Sequence, residues 1–309
     1  MNLTVSVVIP SFQQCSYLRQ CLDSVCSQQF PGLQLIVVDG GSTDGSVDLI
    51  REYESRIYWW VSEPDGGQTD AINKGLRKAT GDVWGYLNSD DLLEPDGLAV
   101  VARFFIENAN KEWLSGGCRV FGEDIDDWFL NPAGITNERE VLTPWDRPHP
   151  YVFPQSGACF MRRSVIEKIG FFDPSYHYSM DMEYYTRAAL KAGIEQCITD
   201  QCLAAWRLHP DAKSFQKGIA YAFREDEIRI AKEYLTCLDA TDQRIVRQQL
   251  IVKERDVLLR KAMWNHRNGD AREARSLLWK TIMHSPLSIL HRPWLGAARR
   301  ILTGAATNR

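Results

Sequence analysis

The sequence predicts an α/β fold: a mostly parallel sheet flanked by helices, followed by an α-helical C-terminal appendage. Three observations carry that expectation. Short β-branched runs alternate with amphipathic stretches over the first 90 residues, the rhythm of a parallel sheet with helices on its faces. Each apolar run ends in a cluster of polar residues, and sheets of this type bind ligands beyond the carboxyl ends of their strands. Beyond Ala212 turn residues thin out and helical spacing takes over.

In chain order, Thr4–Ile9 is β-branched and stops at Pro10, a buried strand. Ser16 then caps a helix whose apolar stripe is Leu18, Cys21, Leu22, Val25 and Cys26. Gln34–Val38 is a second buried strand, and Gly40–Gly45 is the turn after it. A helix through Val47, Leu49, Ile50 and Tyr53, a strand at Ile57–Val61, a helix at Asp70–Ala79 and a strand at Asp82–Leu87 complete the alternation. Residues 122–155, rich in Asp, Pro and aromatics, read as a long loop region over the site. Ser156–Arg162 is predicted as a strand, Ser164–Gly170 and Met180–Ala192 as helices, and Leu203–Leu208 as a strand. In the tail, Arg267-Asn268-Gly269-Asp270 separates two helices and Ser285-Pro286 ends the second. Domain boundaries are expected at 1–212 for the α/β domain and 213–309 for the helical extension.

Composition narrows the function. At 44% hydrophobic and 25% charged residues the chain is ordinary globular protein. The net charge of −4 divides unevenly: residues 1–212 hold 17 basic and 30 acidic side chains, residues 213–309 hold 19 and 10. An acidic front excludes a general nucleic-acid binder, whose footprint is a basic face, and the asymmetry suggests that front and tail meet different partners. The opening residues lack a charged leader, no apolar stretch reaches 18 residues, and the eight cysteines show no metal or redox spacing. A cytoplasmic protein is expected.

Four polar clusters follow the strands. Pro10-Ser11-Phe12-Gln13 is a turn suited to holding a flat base, or equally a strand-to-helix turn with a buried ring. Asp39 closes its strand with Gly40, Gly41, Ser42 and Asp44 behind it; glycines admit a close ligand and the carboxylate can accept a base or ribose proton, while a plain capped turn explains Asp44 as well. Asn88-Ser89-Asp90-Asp91 sets two adjacent carboxylates at a strand mouth, which is costly without a cation such as Mg²⁺ or Mn²⁺, although Asp91 also fits as a helix-capping acid. Asp181 and Glu183 open a helix two residues apart and point differently, so one suits a general base and the other a structural acid, or both merely suit the helix dipole.

Together these segments resemble the inverting family 2 glycosyltransferases of the GT-A fold. The likeness rests on Val5–Pro10, Val37–Gly45, Glu63–Gly75, Leu87–Asp91, Gly170–Asp173 and Asp181, in order over about residues 4–212. It implies that Pro10, Ser11, Phe12 and Asp39 hold the nucleoside of a nucleotide-diphosphate sugar, and that Asp65, Asp70 and Asn73 line its pocket. Asn88, Asp90 and Asp91 occupy the DXD region, which binds the ribose and a divalent metal, with Ser89 among the donor-binding residues; Asp90, Asp91 and His209 (in Trp206–His209) are the implied ligands of Mg²⁺ or Mn²⁺. Asp181 falls at the catalytic base. By their own chemistry Gln155, Trp145 and Glu183 are candidates for the acceptor side, where an aromatic such as Trp145 can stack on a sugar face or equally anchor the loop. The implied enzyme is a metal-dependent inverting transferase of surface polysaccharide or glycoconjugate synthesis, acting on a saccharide or lipid-linked acceptor. Three departures leave the base open among uridine, guanosine and thymidine: Asn88 opens the DXD region, Gly40 stands where many relatives have a second acid, and Ile72 replaces an arginine before Asn73.

Two other readings compete. A sugar nucleotidyltransferase usually opens with a Gly-rich basic phosphate loop, and Pro10–Gln14 has neither Gly nor Lys. A non-catalytic nucleotide-sugar-binding protein would have no need of Asp90, Asp91 and Asp181 together. The basic tail is expected to be either a set of solvated helix faces or, through His291–Leu302, a peripheral contact with an anionic membrane at its inner face.

Overall fold

The computed structural model describes residues 3–123, 125–131, 134–135, 137–143, 155–213, 220–286, 290 and 292–303. They fall into two compact units, Met1–His209 and Pro210–Arg309.

The first unit is built on a nine-stranded sheet. Strands β1 (Val5–Ser11), β2 (Leu33–Asp39), β3 (Trp59–Ser62) and β4 (Val83–Tyr86) run parallel in the order β3-β2-β1-β4. Between them run helices α1 (Cys15–Cys26), α2 (Ser46–Glu52) and α3 (Gln68–Lys78). The strands are apolar on both sides because helices cover both faces: Val5, Val7, Ile9, Leu35 and Val37 join Leu18, Leu22 and Val25 of α1 in one buried cluster. On the other face α3 rests so closely on β1 that a Cβ at Gly75 would lie 2.4 Å from Val8 Cγ1.

The sheet continues past β4 through strands of mixed direction. After β5 (Leu92–Leu93) and α4 (Gly97–Glu107), the long β6 (Trp113–Gly122) pairs antiparallel with β8 (Cys159–Arg162) and parallel with β9 (Gln196–Leu208). β8 joins β4 antiparallel, and β5 pairs antiparallel with the end of β9, Leu92 opposite Ala205. Helices α6 (Arg163–Ile169) and α7 (Met180–Leu190) lie between β8 and β9.

Several boundaries differ from the sequence expectation. The span 122–155 is not loop throughout: β7 (Ile125–Leu130) pairs antiparallel with β6, and α5 (Glu138–Leu142) carries an Asn137 cap whose side chain accepts from Glu140 N. β7 exposes nearly all its side chains, so it lacks the half-buried alternation by which a strand is recognised. Residues 156–158 form a 3₁₀ turn before β8, and β9 begins seven residues earlier than its apolar end suggests.

The second unit is helical: α8 (Ala220–Glu233), α9 (Ala240–Arg267), α10 (Ala271–His284) and α11 (Arg292–Thr303). Asp239 and Asp270 cap α9 and α10 by accepting backbone amides of their first turns. Leu259 and Ala262 of α9, Ala274, Leu277 and Leu278 of α10, and Trp294, Ala297, Ala298 and Ile301 of α11 make one core. Trp294 is therefore an internal residue, its Nε1 donating to Thr281 Oγ1 at 2.6 Å, and not a ring offered to a membrane. Among the described residues no helix is long and apolar enough to cross a membrane.

Candidate active site

The parallel register brings the strand ends together: Ser11 lies opposite Asp39, and Asp39 opposite Ser62. The Asp39 carboxylate is wholly buried. One oxygen accepts from Gly41 N (3.1 Å), Ser42 N (2.8 Å) and Ser62 Oγ (2.6 Å), the other from Ser42 Oγ (2.5 Å). Three donors meet Oδ2 and one meets Oδ1 of a side chain with no exposed surface, so the expected contact of Asp39 with a base does not fit. Asp39 instead shapes the 40–44 turn, which Asp44 pins to α1 and α2 through Cys15 N and Ser46.

What opens outward is the space over Gly40. A Cβ there would lie 3.0 Å from Asp65 Oδ2 and 3.1 Å from Phe12 Cδ2. The missing side chain lets the Asp65 carboxylate and the Phe12 ring, 59% exposed, meet above the turn. Asp65 Oδ1 accepts from Gly67 N (2.7 Å), which sets its direction. Ser11 Oγ is buried here without a hydrogen-bond partner, and Pro10 is buried at the end of β1.

Gly67 turns into α3 at φ +102°, a conformation that favours glycine. Asp70 accepts from Gly66 N and faces Lys74, which also pairs with Glu63. Asn73 is buried and clamps the chain at Phe172, donating to its carbonyl (2.9 Å) and accepting its amide (3.0 Å). Both ends of that amide are engaged, so Asn73 braces the 170–173 turn rather than lining a pocket.

After β4 the turn 88–91 spreads its side chains apart. Asn88 Oδ1 accepts from Gln68 Nε2 (2.7 Å), and its Nδ2 donates to Asp91 Oδ2 (3.1 Å) and Ser156 Oγ (3.4 Å), the neighbour of Gln155. Ser89 is buried under the turn. Asp91 is also buried, and its second oxygen accepts from Arg207 N (2.9 Å). Burial, then the charge of Asp90, pushes its carboxyl well above the ordinary range. Asp91 thus faces the interior, away from the place expected of a metal ligand.

Asp90 faces the other way. Its Oδ2 lies 3.0 Å from His209 Nε2, and the His209 ring leans on Tyr17 at 4.3 Å between centroids. Arg207 fastens this arrangement, donating to Asp90 O (2.8 Å) and to Gln20 Oε1 (2.6 Å). Arg207 and Gln68 were not singled out from sequence; nothing in their spacing shows that β9 ends beside the 88–91 turn. Among the described residues no three His, Cys, Asp or Glu side chains converge into a complete metal site. Asp90 and His209 together offer one oxygen and one nitrogen donor, a set that suits a cation completed by substrate phosphate and water.

Asp181 stands in the first turn of α7, its Oδ1 accepting from Met182 N (2.8 Å). The neighbouring Met180 Sδ accepts from Thr69 Oγ1 (2.7 Å), which holds the start of α7 to the start of α3. Asp181 is close enough to Tyr86, at the end of β4, to add to burial in raising that phenol. Glu183 is different: it is buried and chelated by Arg187 Nε and Nη2, both at 2.9 Å, while Arg187 also donates to the carbonyls of Ile169 and Phe171. That closed ion pair removes Glu183 from the acceptor side. Trp145 lies outside the described residues.

Known proteins resemble the chain in sequence and in fold. The sequence profile of Glycosyl transferase family 2 matches residues 6–170. A Mycobacterium bovis PGL/p-HBAD biosynthesis glycosyltransferase is 35% identical over 216 residues, 69% of this chain and 76% of the relative. Among solved structures, S. aureus TarS 1-349 in complex with UDP superposes with a TM-score of 0.61 at 16% identity, covering 99% of this chain and 93% of that one. A mannosyltransferase from Pyrobaculum calidifontis, in complex with GDP-Man and Mn²⁺, superposes at 0.55 and 16% identity, covering 99% of this chain and 89% of that one. Strand order, strand-end chemistry and these similarities lead to one assignment: the chain has the GT-A-type fold and belongs to glycosyltransferase family 2.

Proposed function

We propose that the protein transfers a sugar, with inversion, from a nucleotide-diphosphate sugar to an acceptor hydroxyl in the synthesis of a surface polysaccharide or glycoconjugate. The observation that carries this is the gathering at one sheet edge of three differently equipped groups: Phe12 with Asp65, Asp90 with His209, and Asp181. TarS and the mannosyltransferase are bound to UDP and GDP-Man, which supports a nucleotide-sugar donor here.

In this reading the catalytic work falls to residues 1–212, and 213–309 is an extension. The nucleoside rests against Pro10, Ser11 and Phe12. With Asp39 sealed inside, Asp65 is the acid that meets the base, and Asp70 borders the same pocket. A carboxylate only accepts protons, so it selects a base edge carrying an N–H, as uracil, thymine and guanine do. Asp90 and His209 hold Mg²⁺ or Mn²⁺, with Asn88, Ser89 and Asp91 shaping the turn beneath. Bound there, such a cation supplies neutralisation of the charge that grows on the departing diphosphate. Asp181 takes the proton of the acceptor hydroxyl as the new bond forms on the face opposite the nucleotide. A positioned base of this kind contributes about 10²–10⁴ in rate. Gln155, at the rim beside Ser156, serves the acceptor side, where a saccharide or lipid-linked acceptor enters. The enzyme works in the cytoplasm, where nucleotide sugars are used.

The test is Asp181→Asn with a panel of UDP-, GDP- and dTDP-sugars and either metal. Donor binding, read by thermal shift, is expected to persist while transfer and slow donor hydrolysis fall by about 10²–10⁴. Undiminished turnover in that variant would overturn the assignment.

A further inference from the structure

The C-terminal helices carry a surface that the transfer reaction does not use. In α10 the residues turned from the core are Arg272, Arg275, Trp279, Lys280 and Met283. Trp279 is 64% and Met283 82% exposed, and four residues apart they stand together on one helical face. α11 repeats the composition: it buries Trp294, Ala297, Ala298 and Ile301, and exposes Arg292, Leu295, Arg299, Arg300 and Leu302. From Ala274 to Arg309 the sequence holds six Lys and Arg and no acid.

We infer that the outer faces of α10 and α11 bind an anionic lipid bilayer from one side, with Trp279, Met283, Leu295 and Leu302 entering the headgroup–acyl boundary and the surrounding arginines on lipid phosphates. The core explains why this face is free: each helix has already spent its other apolar stripe on α9, so these four side chains are a second, outward set. Single exposed apolar residues are unremarkable, but a tryptophan and three large aliphatics interleaved with arginines match the interfacial helix pattern. Charge selects the occupant. A second copy would bring two positive faces together, and a nucleic-acid backbone offers nothing for Met283 or the leucines to enter. An anionic bilayer satisfies both components. Trp294 takes no part in this face, because its ring belongs to the core.

The experiment is vesicle flotation of the full chain with phosphatidylcholine alone and with added phosphatidylglycerol, at 50 and 300 mM NaCl. Binding is expected only with the anionic vesicles, weakening at the higher salt. Arg299→Gln/Arg300→Gln should lower partitioning about fivefold for each charge removed, and Trp279→Ala/Met283→Ala by roughly tenfold. All four positions are exposed, and the helical circular dichroism and thermal unfolding of each variant, measured in the same samples, report that the C-terminal helices are folded. Equal binding to neutral and anionic vesicles, no flotation at 50 mM salt, or unaltered partitioning of both variants would overturn the proposal. So would a concentration-dependent dimer in solution that Trp279→Ala/Met283→Ala abolishes, since that assigns the face to a second copy. None of these outcomes depends on the transferase reading, which the Asp181 variant tests separately.

Discussion

Asp39 and Asp65 sit on neighbouring turns at one end of the sheet, yet the structure separates their roles sharply enough to measure. Replacing Asp39 by Ala removes the acceptor of four donors. The hydroxyls of Ser42 and Ser62 can rotate toward other partners, but the amides of Gly41 and Ser42 cannot. Leaving each half-buried amide unpaired costs about 1–2 kcal/mol, so the expected loss centres on about 3 kcal/mol. That is a large part of the roughly 5–15 kcal/mol typical of a domain, and it leaves the protein folded in water. Asp65→Ala forfeits one backbone contact, from Gly67 N, at a half-buried site. Its expected stability loss is within about 1 kcal/mol, the ordinary worth of one exposed hydrogen bond. Its effect on nucleotide binding is larger: losing one charge-assisted bond to the base weakens UDP or GDP affinity by roughly ten- to a hundredfold. Urea unfolding and calorimetric titration of both variants with Mn²⁺ present provide the assay. A stable Asp39→Ala variant with a hundredfold weaker nucleotide affinity, beside an unaffected Asp65→Ala, would refute the reasoning and return the base contact to Asp39.

Two further outcomes follow from packing and charge. Arg187→Ala strands the buried Glu183 carboxylate and should cost about 3–5 kcal/mol in urea unfolding, whereas Arg187→Met with Glu183→Gln should recover part of that loss. Asp82 accepts from the amide and hydroxyl of Thr4, both at 2.8 Å, and these bonds hold its carboxyl below the ordinary range. A carboxylate depressed in the folded state stabilises the protein above its unfolded-state value, near about pH 4, and that contribution disappears as the pH falls through the folded value. Asp82→Asn should therefore flatten the acid limb of a stability–pH curve; an unchanged limb would remove Asp82 from it.

Much of the fold was legible because a parallel sheet imposes strong local signatures. Val5–Ile9 and Leu35–Val38 are apolar on both faces, and the helix stripe of Leu18, Leu22 and Val25 has nowhere to go except between them. The site's location followed from the same rule, since parallel strands deliver their polar ends to one edge. The strands beyond β4 were harder to see. β6 and β9 pair across more than 80 residues, and β7 is a largely exposed edge, so neither local periodicity nor burial marks them.

The orientation of each acid was beyond the reach of residue type, and there the chemistry divides. Asp39, Asp91 and Glu183 turn inward because specific donors meet them: the amides of Gly41 and Ser42, the amide of Arg207, and the Arg187 guanidinium. Asp65, Asp90 and Asp181 are half-buried and meet other partners: the amide of Gly67, the His209 ring and the amide of Met182. The adjacent pair Asp90-Asp91 shows why this matters. Two carboxylates side by side suggest a cation between them, yet Asp91 is buried, accepting from Asn88 and the Arg207 amide, and burial together with the charge of Asp90 raises its affinity for a proton. In the proposed reading a cation at this edge would be held by Asp90 with His209 at its side and would meet the diphosphate there. Within the acidic front Asp39, Asp91 and Glu183 are buried and serve as internal braces, while Asp65 beside Phe12 and Asp90 beside His209 are placed next to groups suited to different parts of a nucleotide sugar.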